Sequence, residues 1–219
     1  MIKIQKSSDI LNKLIKDNGF TSYLEIGIAC GDCYFSIICP KKFGVDPDPH
    51  REFIKEHPTN RADSMFYNTT SNIFFESLNR SDVYDLIFID GDHTHEQVDI
   101  DIQNALNYIS NKGLIMLHDA NPPTRYHARE NHNESTPAGT AWNGTVYKSI
   151  IKLRNLYPDI SLYTVDVDEG CCVIDPRSID LKNIDSRNID SQELDYDIFY
   201  NNKQEILNLI TSEEFSKHK

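Results

Sequence analysis

Four apolar runs in this chain break off at glycine, acidic or imidazole side chains, and that recurrence limits the fold more than any other feature. "YLEIGIACGD" passes into Gly27 and Gly31, and "KFGVDPDP" stops at Asp46. "VYDLIFIDGDHTH" stops at Asp90, Asp92, His93 and His95, and "GLIMLHDAN" at His118 and Asp119. Runs of four to eight apolar residues that do not alternate fit strands covered on both faces, which is the condition inside a parallel sheet. Helical patterns fall between them. Ile10, Leu11, Leu14 and Ile15 share one face of a helix over 8–18, with Ser8 as its cap and Gly19 as its end. "CYFSIICP" predicts a short helix stopped by Pro40, and Ile73, Phe74 and Leu78 mark another. Val98, Ile102, Ala105, Leu106 and Ile109 define a helix over 96–109, and Val146, Ile150 and Leu153 one more. "SLYTVDVDEGCCVID" predicts a hairpin turning at 168–170. Strands alternating with helices predict an α/β fold with a mostly parallel sheet, helices on both faces and an antiparallel closing hairpin.

The chain of 219 residues is expected to form a single domain. Residues 1–20 supply an N-terminal helix, 21–175 the core, and 176–219 an arm ending in a helix marked by Ile206, Leu207, Leu209 and Ile210. The polar, proline-bounded stretch 122–139 is long for a passive connection and reads as a lid over a substrate. The net charge of -12 argues against nucleic acid or an anionic membrane as partner, and no apolar run approaches a membrane span. The N-terminal residues lack the pattern of a secretory signal, so a cytoplasmic location is expected. Cys30, Cys33 and Cys39 lack a second pair at zinc spacing, which favours reduced, packed thiols.

In an open parallel sheet, ligands bind beyond the carboxyl ends of the strands, and four polar strand ends on one rim read as a site. The spacing Glu25-x-Gly27-x-x-x-Gly31 suits a ligand loop or a plain strand-to-helix turn, and it departs from the G-x-G-x-x-G of dinucleotide enzymes. Asp46 can accept hydrogen bonds from ribose hydroxyls or terminate a solvated turn. His93 or His95 suits a general base, and either can instead cap the helix that follows. Trp142 reads as core or as a platform for an acceptor, and Arg125, His127 and Glu130 as solvated loop or as substrate contacts from the lid.

The ordered set "YLEIGIACGD", "FGVDPD", "LIFIDGDHTHEQVDIDI" and "GLIMLHDANPP" resembles the class I S-adenosylmethionine-dependent methyltransferases over about 22–175. The resemblance implies a Rossmann-like, seven-stranded sheet whose closing hairpin supplies the antiparallel strand. It implies that Glu25, Gly27 and Gly31 frame the methionine moiety of S-adenosylmethionine, that Asp46 binds its ribose, and that Thr70 and Ser71 line the adenine side. "IDGDHTH" with "LHD" is most similar to metal-assisted O-methyltransferases acting on sugars, the macrolide sugar enzymes among them, and the later segment to glycan-associated bacterial methyltransferases. By that resemblance Asp90, His118 and Asp119 are ligands of a divalent metal, magnesium or manganese, and His93 with Asp90 is catalytic. Catechol-type relatives carry Asn directly after the second aspartate, where this chain has Ala120. The implied partner is a small-molecule acceptor of carbohydrate type; a homo-oligomer is left open. The alternatives are a metal-dependent hydrolase built on the Asp/His cluster, which leaves "EIGIACGD" and Asp46 unexplained, and a non-catalytic cofactor-binding module.

Overall fold

The computed structural model describes residues 3–49, 60–61, 63–179 and 195–217. The central strands are β1 (Ser22–Ile26), β2 (Lys41–Val45), β4 (Ser64–Tyr67), β5 (Tyr84–Ile89) and β6 (Ile109–Leu117), all mutually parallel, with a hairpin of β7 (Ser161–Val165) and β8 (Cys171–Asp175). Across the sheet they run β4-β2-β1-β5-β6-β8-β7, with β8 antiparallel to both neighbours. These are the seven strands expected. Two-residue strands extend each edge, β3 (Asn60–Arg61) beside β4 and β9 (Leu209–Ile210) beside β7. The strand order reverses between β1 and β5, which opens the crevice where ligands bind in such sheets.

Period-two alternation explains why both faces are covered. Leu86 and Phe88 pack with Leu114, Met116 and Val173 on one face, while Ile87 and Ile89 pack with Ile115, Leu117 and Ile174 on the other. The first face is closed by α1 (Ser7–Asn18), through Ile10, Leu11, Leu14 and Ile15, by α2 (Asp32–Ser36) and by Phe215 of α7 (Ser212–Lys217). The second is closed by α3 (Ser71–Ser77), α4 (His95–Tyr108), α5 (Val146–Leu156) and α6 (Tyr196–Ile206).

Local differences from the sequence expectations have local causes. Ser8 does not cap α1, because the helix begins one residue earlier and Lys6 holds the cap position; the Asp9 carboxylate accepts from Gln5 N and Lys6 N at 2.9 and 3.2 Å. Gly19, at φ 65°, ends the helix as expected. α2 stops at Ser36, well before Pro40. The apolar quartet near the C-terminus is divided, since α6 ends at Ile206 and Asn208 (φ 44°) turns the chain so that Leu209 and Ile210 pair with Thr164 and Val165. Most of the Ile-Asp repetition, residues 180–190, lies outside the described residues.

Candidate active site

The rim is built around a close crossing of β1 and β5. Asp90 N donates to Ile26 O at 2.8 Å, and a Cβ on Gly27 would lie 2.0 Å from Asp90 O, so only glycine fits there at φ 86°. The turn continues through Ala29 (φ 46°) and Gly31 (φ 80°). Asp46 ties this turn to the end of β2: Oδ2 accepts from Ile28 N and Ala29 N, both at 2.8 Å, and Oδ1 accepts from Asp48 N at 2.8 Å. An ionised carboxylate has about four acceptor positions, so Asp46 shapes the loop and keeps capacity for one further donor. Glu25 is 1% exposed and accepts from the Tyr23 hydroxyl. Burial pushes its carboxyl up to about 8 despite that hydrogen bond.

Two cavities adjoin here. The larger, about 690 Å³, runs from Gly27 and Asp46 past Thr70 and Ser71 to Asp90, His93 and Asp119. The second, about 460 Å³, lies between the start of α1 and the turn after β1, and Glu25 and Cys33 line it. Gly27, Ala29, Asp90 and His118 line both. Thr70 also caps α3, accepting from Ile73 N at 3.4 Å. The far wall of the larger cavity carries residues that the sequence analysis missed, Asn72, Gln97 and Asp101. Gln97 Nε2 donates to Asn72 Oδ1 and Asp101 Oδ1, each at 3.1 Å, and burial pushes Asp101 up to about 6. Asp101 lies on the buried face of α4, one residue before Ile102 in the apolar stripe. A carboxylate interrupting such a stripe was the available signal.

Asp90, His93, His118 and Asp119 come together from the ends of β5 and β6. His118 Nδ1 lies 3.1 Å from Asp119 Oδ2 and 3.3 Å from Asp90 Oδ1, while its Nε2 lies 3.4 Å from Asp168 Oδ2. Burial opposes a charge on His118, but these three carboxylates outweigh it and hold its pKa well above the ordinary histidine value. His93 is raised in the same way, burial being overcome by Asp90 and Asp119. Burial would raise the Asp90 pKa, and the two imidazoles bring it below the usual carboxylate value. His93 Nδ1 is 3.3 Å from Asp119 Oδ2 and its Nε2 is 3.6 Å from Asp90 Oδ1. His95 is turned away, its backbone N donating to Thr145 Oγ1 at 2.8 Å.

Distant segments complete the cluster. Asn143, 1% exposed, donates from Nδ2 to Asp119 Oδ1 at 2.8 Å. Asp119 adopts φ 57°, and the hairpin tip holds the chain after it, with Ala120 N donating to Gly170 O at 3.0 Å and Asn121 N to Glu169 O at 2.9 Å. Asp168 accepts from Ser7 N at 2.8 Å, which links the tip to the start of α1. The Trp142 ring stacks on His93 at 5.1 Å and 19°, meets His132 at 5.1 Å and 57°, and lines neither cavity.

Residues 24–120, which span the turn after β1 and both aspartate-bearing strand ends, match the family model of a methyltransferase domain. The chain carries a methyltransferase domain of the S-adenosylmethionine-dependent class. The methyltransferase fold agrees. The S-adenosylhomocysteine-bound methyltransferase PaMTH1 from Podospora anserina superposes with a TM-score of 0.57 at 16% identity, over 78% of this chain and 79% of that one. An O-methyltransferase from Bacillus cereus, also in complex with S-adenosylhomocysteine, gives 0.55 at 14% identity, over 80% and 83%. No curated protein sequence matches the chain. Among the described residues of this methyltransferase, no helix is long and apolar enough to cross a membrane, and all five cysteines are free.

The donor set that converges among the described residues is Asp90, His93 and Asp119, whose ligand atoms lie within 4.8 Å of one another. His118, the ligand implied by the resemblance, is not part of that set, although its Nδ1 lies 3.1 Å from Asp119 Oδ2 and 3.3 Å from Asp90 Oδ1. Two carboxylates and an imidazole fit a divalent cation. The mixed set favours manganese, iron or zinc over magnesium, which prefers oxygen.

Proposed function

We propose that this methyltransferase moves the methyl group of S-adenosylmethionine to a hydroxyl of a small polar acceptor, a sugar or glycan-related molecule, with His93 taking the hydroxyl proton. The cofactor spans both cavities in this reading. Its adenine meets Ser71, Asn72, Gln97 and Asp101, its ribose meets Asp46, and its methionine end enters the second cavity beside Glu25. Methyl transfer from a sulfonium is an in-line displacement, so the protein's task is to align the acceptor and remove its proton. The observation that carries the reading is the placement of His93 on the cavity wall, with Nδ1 engaged by Asp119 and the Trp142 carbonyl and Nε2 on the side of Asp90. The polar surroundings, Asp90, Asp92, His118 and Asp119, support a hydroxyl-rich acceptor. The name of the Bacillus cereus O-methyltransferase supports oxygen as the acceptor atom.

A second reading rests on the convergence of Asp90, His93 and Asp119. Those residues would hold a divalent cation, which lowers the pKa of a bound hydroxyl. His93 is then a ligand and the proton leaves by another route. A non-catalytic module binds the cofactor without turnover.

Calorimetry with S-adenosylmethionine and S-adenosylhomocysteine, followed by an acceptor screen among sugars and nucleotide sugars, separates these readings. Micromolar cofactor binding with turnover that survives EDTA and is lost in His93→Gln is the expected result. Turnover abolished by EDTA and restored by manganese supports the metal reading. Folded protein that binds neither cofactor form overturns the proposal.

A further inference from the structure

The segment 142–145 is about fifty residues from His93 in sequence, yet it lies along 93–95 in space. Thr145 N donates to His93 O at 2.7 Å. Gly144 adopts φ 61°, and a Cβ there would fall 2.2 Å from His93 O, so the approach requires glycine. The Trp142 carbonyl oxygen is 3.1 Å from His93 Nδ1, and the Trp142 ring stacks on the imidazole. Asn143 occupies one oxygen of Asp119, and the other oxygen of that carboxylate faces His93 Nδ1.

The loop that carries these groups is fixed from within. The buried Arg129 guanidinium donates to the carbonyls of Tyr126, His132, Gly139 and Ala141 at 2.7–3.2 Å. Trp142 Nε1 returns a hydrogen bond to Arg129 O at 2.7 Å. A carbonyl oxygen can only accept, so a neutral His93 facing the Trp142 carbonyl carries its proton on Nδ1. Nε2 faces a single acceptor at longer range, Asp90 Oδ1 at 3.6 Å, while Nδ1 faces two, the Trp142 carbonyl at 3.1 Å and Asp119 Oδ2 at 3.3 Å, so the closer pair decides the tautomer. In metal and triad sites, the partner of one imidazole nitrogen sets what the other can do.

We infer that 142–144 is a positioning element which sets the tautomer of His93. The Trp142 carbonyl holds Nδ1–H, Asn143 fixes Asp119 behind it, and Gly144 allows the approach, leaving Nε2 unprotonated toward the acceptor. None of the three lines either cavity; each acts through His93. The inference rests on the base reading above and deepens it.

The test needs no acceptor. Full-length protein labelled with ¹⁵N-histidine, bound to S-adenosylhomocysteine in EDTA and held above the titration of its histidines, is examined by long-range ¹H–¹⁵N spectroscopy. The His93 signals are assigned by their loss in His93→Gln. The wild type is expected to show the Nδ1–H form. Gly144→Ala and Asn143→Ala are expected to shift the balance toward Nε2–H by about tenfold, the worth of a hydrogen bond involving a charged group, with S-adenosylhomocysteine still bound. A wild type in the Nε2–H form overturns the inference, and so do variants that bind S-adenosylhomocysteine and keep the wild-type ratio. If both variants fail to fold, the wild-type spectrum decides alone. Turnover that persists in His93→Gln breaks the base reading instead, whatever the tautomer.

Discussion

An aspartate stands near each end of β5, Asp85 one residue inside its start and Asp90 just past its last residue, and the two are held in opposite ways. Asp85, at the start, accepts from Thr21 N, Thr21 Oγ1, Ser22 N and Ser110 Oγ at 2.9–3.2 Å. All four donors are neutral and fixed. Burial would raise its pKa, but these hydrogen bonds outweigh it and lower the value. Asp90, at the other end, faces two imidazoles and lines both cavities. A carboxylate satisfied by fixed neutral donors binds strands together. One whose neighbours can gain and lose protons is equipped for chemistry.

The largest effect that tests this contrast is expected from Asp90→Ala. Methyl transfer should fall by about a hundredfold or more, while the urea midpoint moves little. A fully active Asp90→Ala would remove the distinction between the two ends. Asp85→Ala should do the reverse. Stranding four donors is expected to cost about 2–4 kcal/mol in urea unfolding, with activity per folded molecule retained.

Glu25 sharpens the comparison through pH. Its folded pKa of about 8 lies above the ordinary glutamate value of 4.5, so the folded state keeps a proton that the unfolded state loses. Stability should therefore fall as pH rises from about 4.5 to 8, and Glu25→Gln should flatten that slope when urea midpoints are compared across the range. The lowered pKa of Asp85 acts the other way, since its contribution is present above the unfolded carboxylate value and is lost in acid. The smallest effect belongs to Thr70→Ala. Losing the α3 cap should cost about 1 kcal/mol, and S-adenosylhomocysteine affinity measured by calorimetry should stay within about twofold.

Much of the sheet was legible because its signals are local. The β5 and β6 runs are apolar on both faces, and each ends abruptly in charge, so both strand and rim could be read from adjacent residues. The two-residue edge strands could not, since Leu209 and Ile210 continue an apolar spacing that suits a helix equally well. At the site, Asp90, His93 and Asp119 announced themselves by type and position. Asn143, the Trp142 carbonyl and Asp168 did not, because their roles depend on loops that return from far along the chain. Backbone atoms carry no letter in a sequence. Asp101 hid within a helical stripe whose apolar members drew the reading.

The grip of the hairpin tip on Ala120 and Asn121 has a consequence for when the site comes into being. Every titratable group of the Asp90, His93, His118 and Asp119 cluster lies within the first 119 residues, but the atoms that hold Asp119 and the turn after it come from 143 and 169–170. During synthesis the reactive groups emerge first, and Asp119 gains the atoms that hold it only when 143 and the hairpin tip have followed. The last antiparallel pair thus works as a latch in time as well as in space. A nascent chain short of residue 170 holds all the reagents and no reaction vessel.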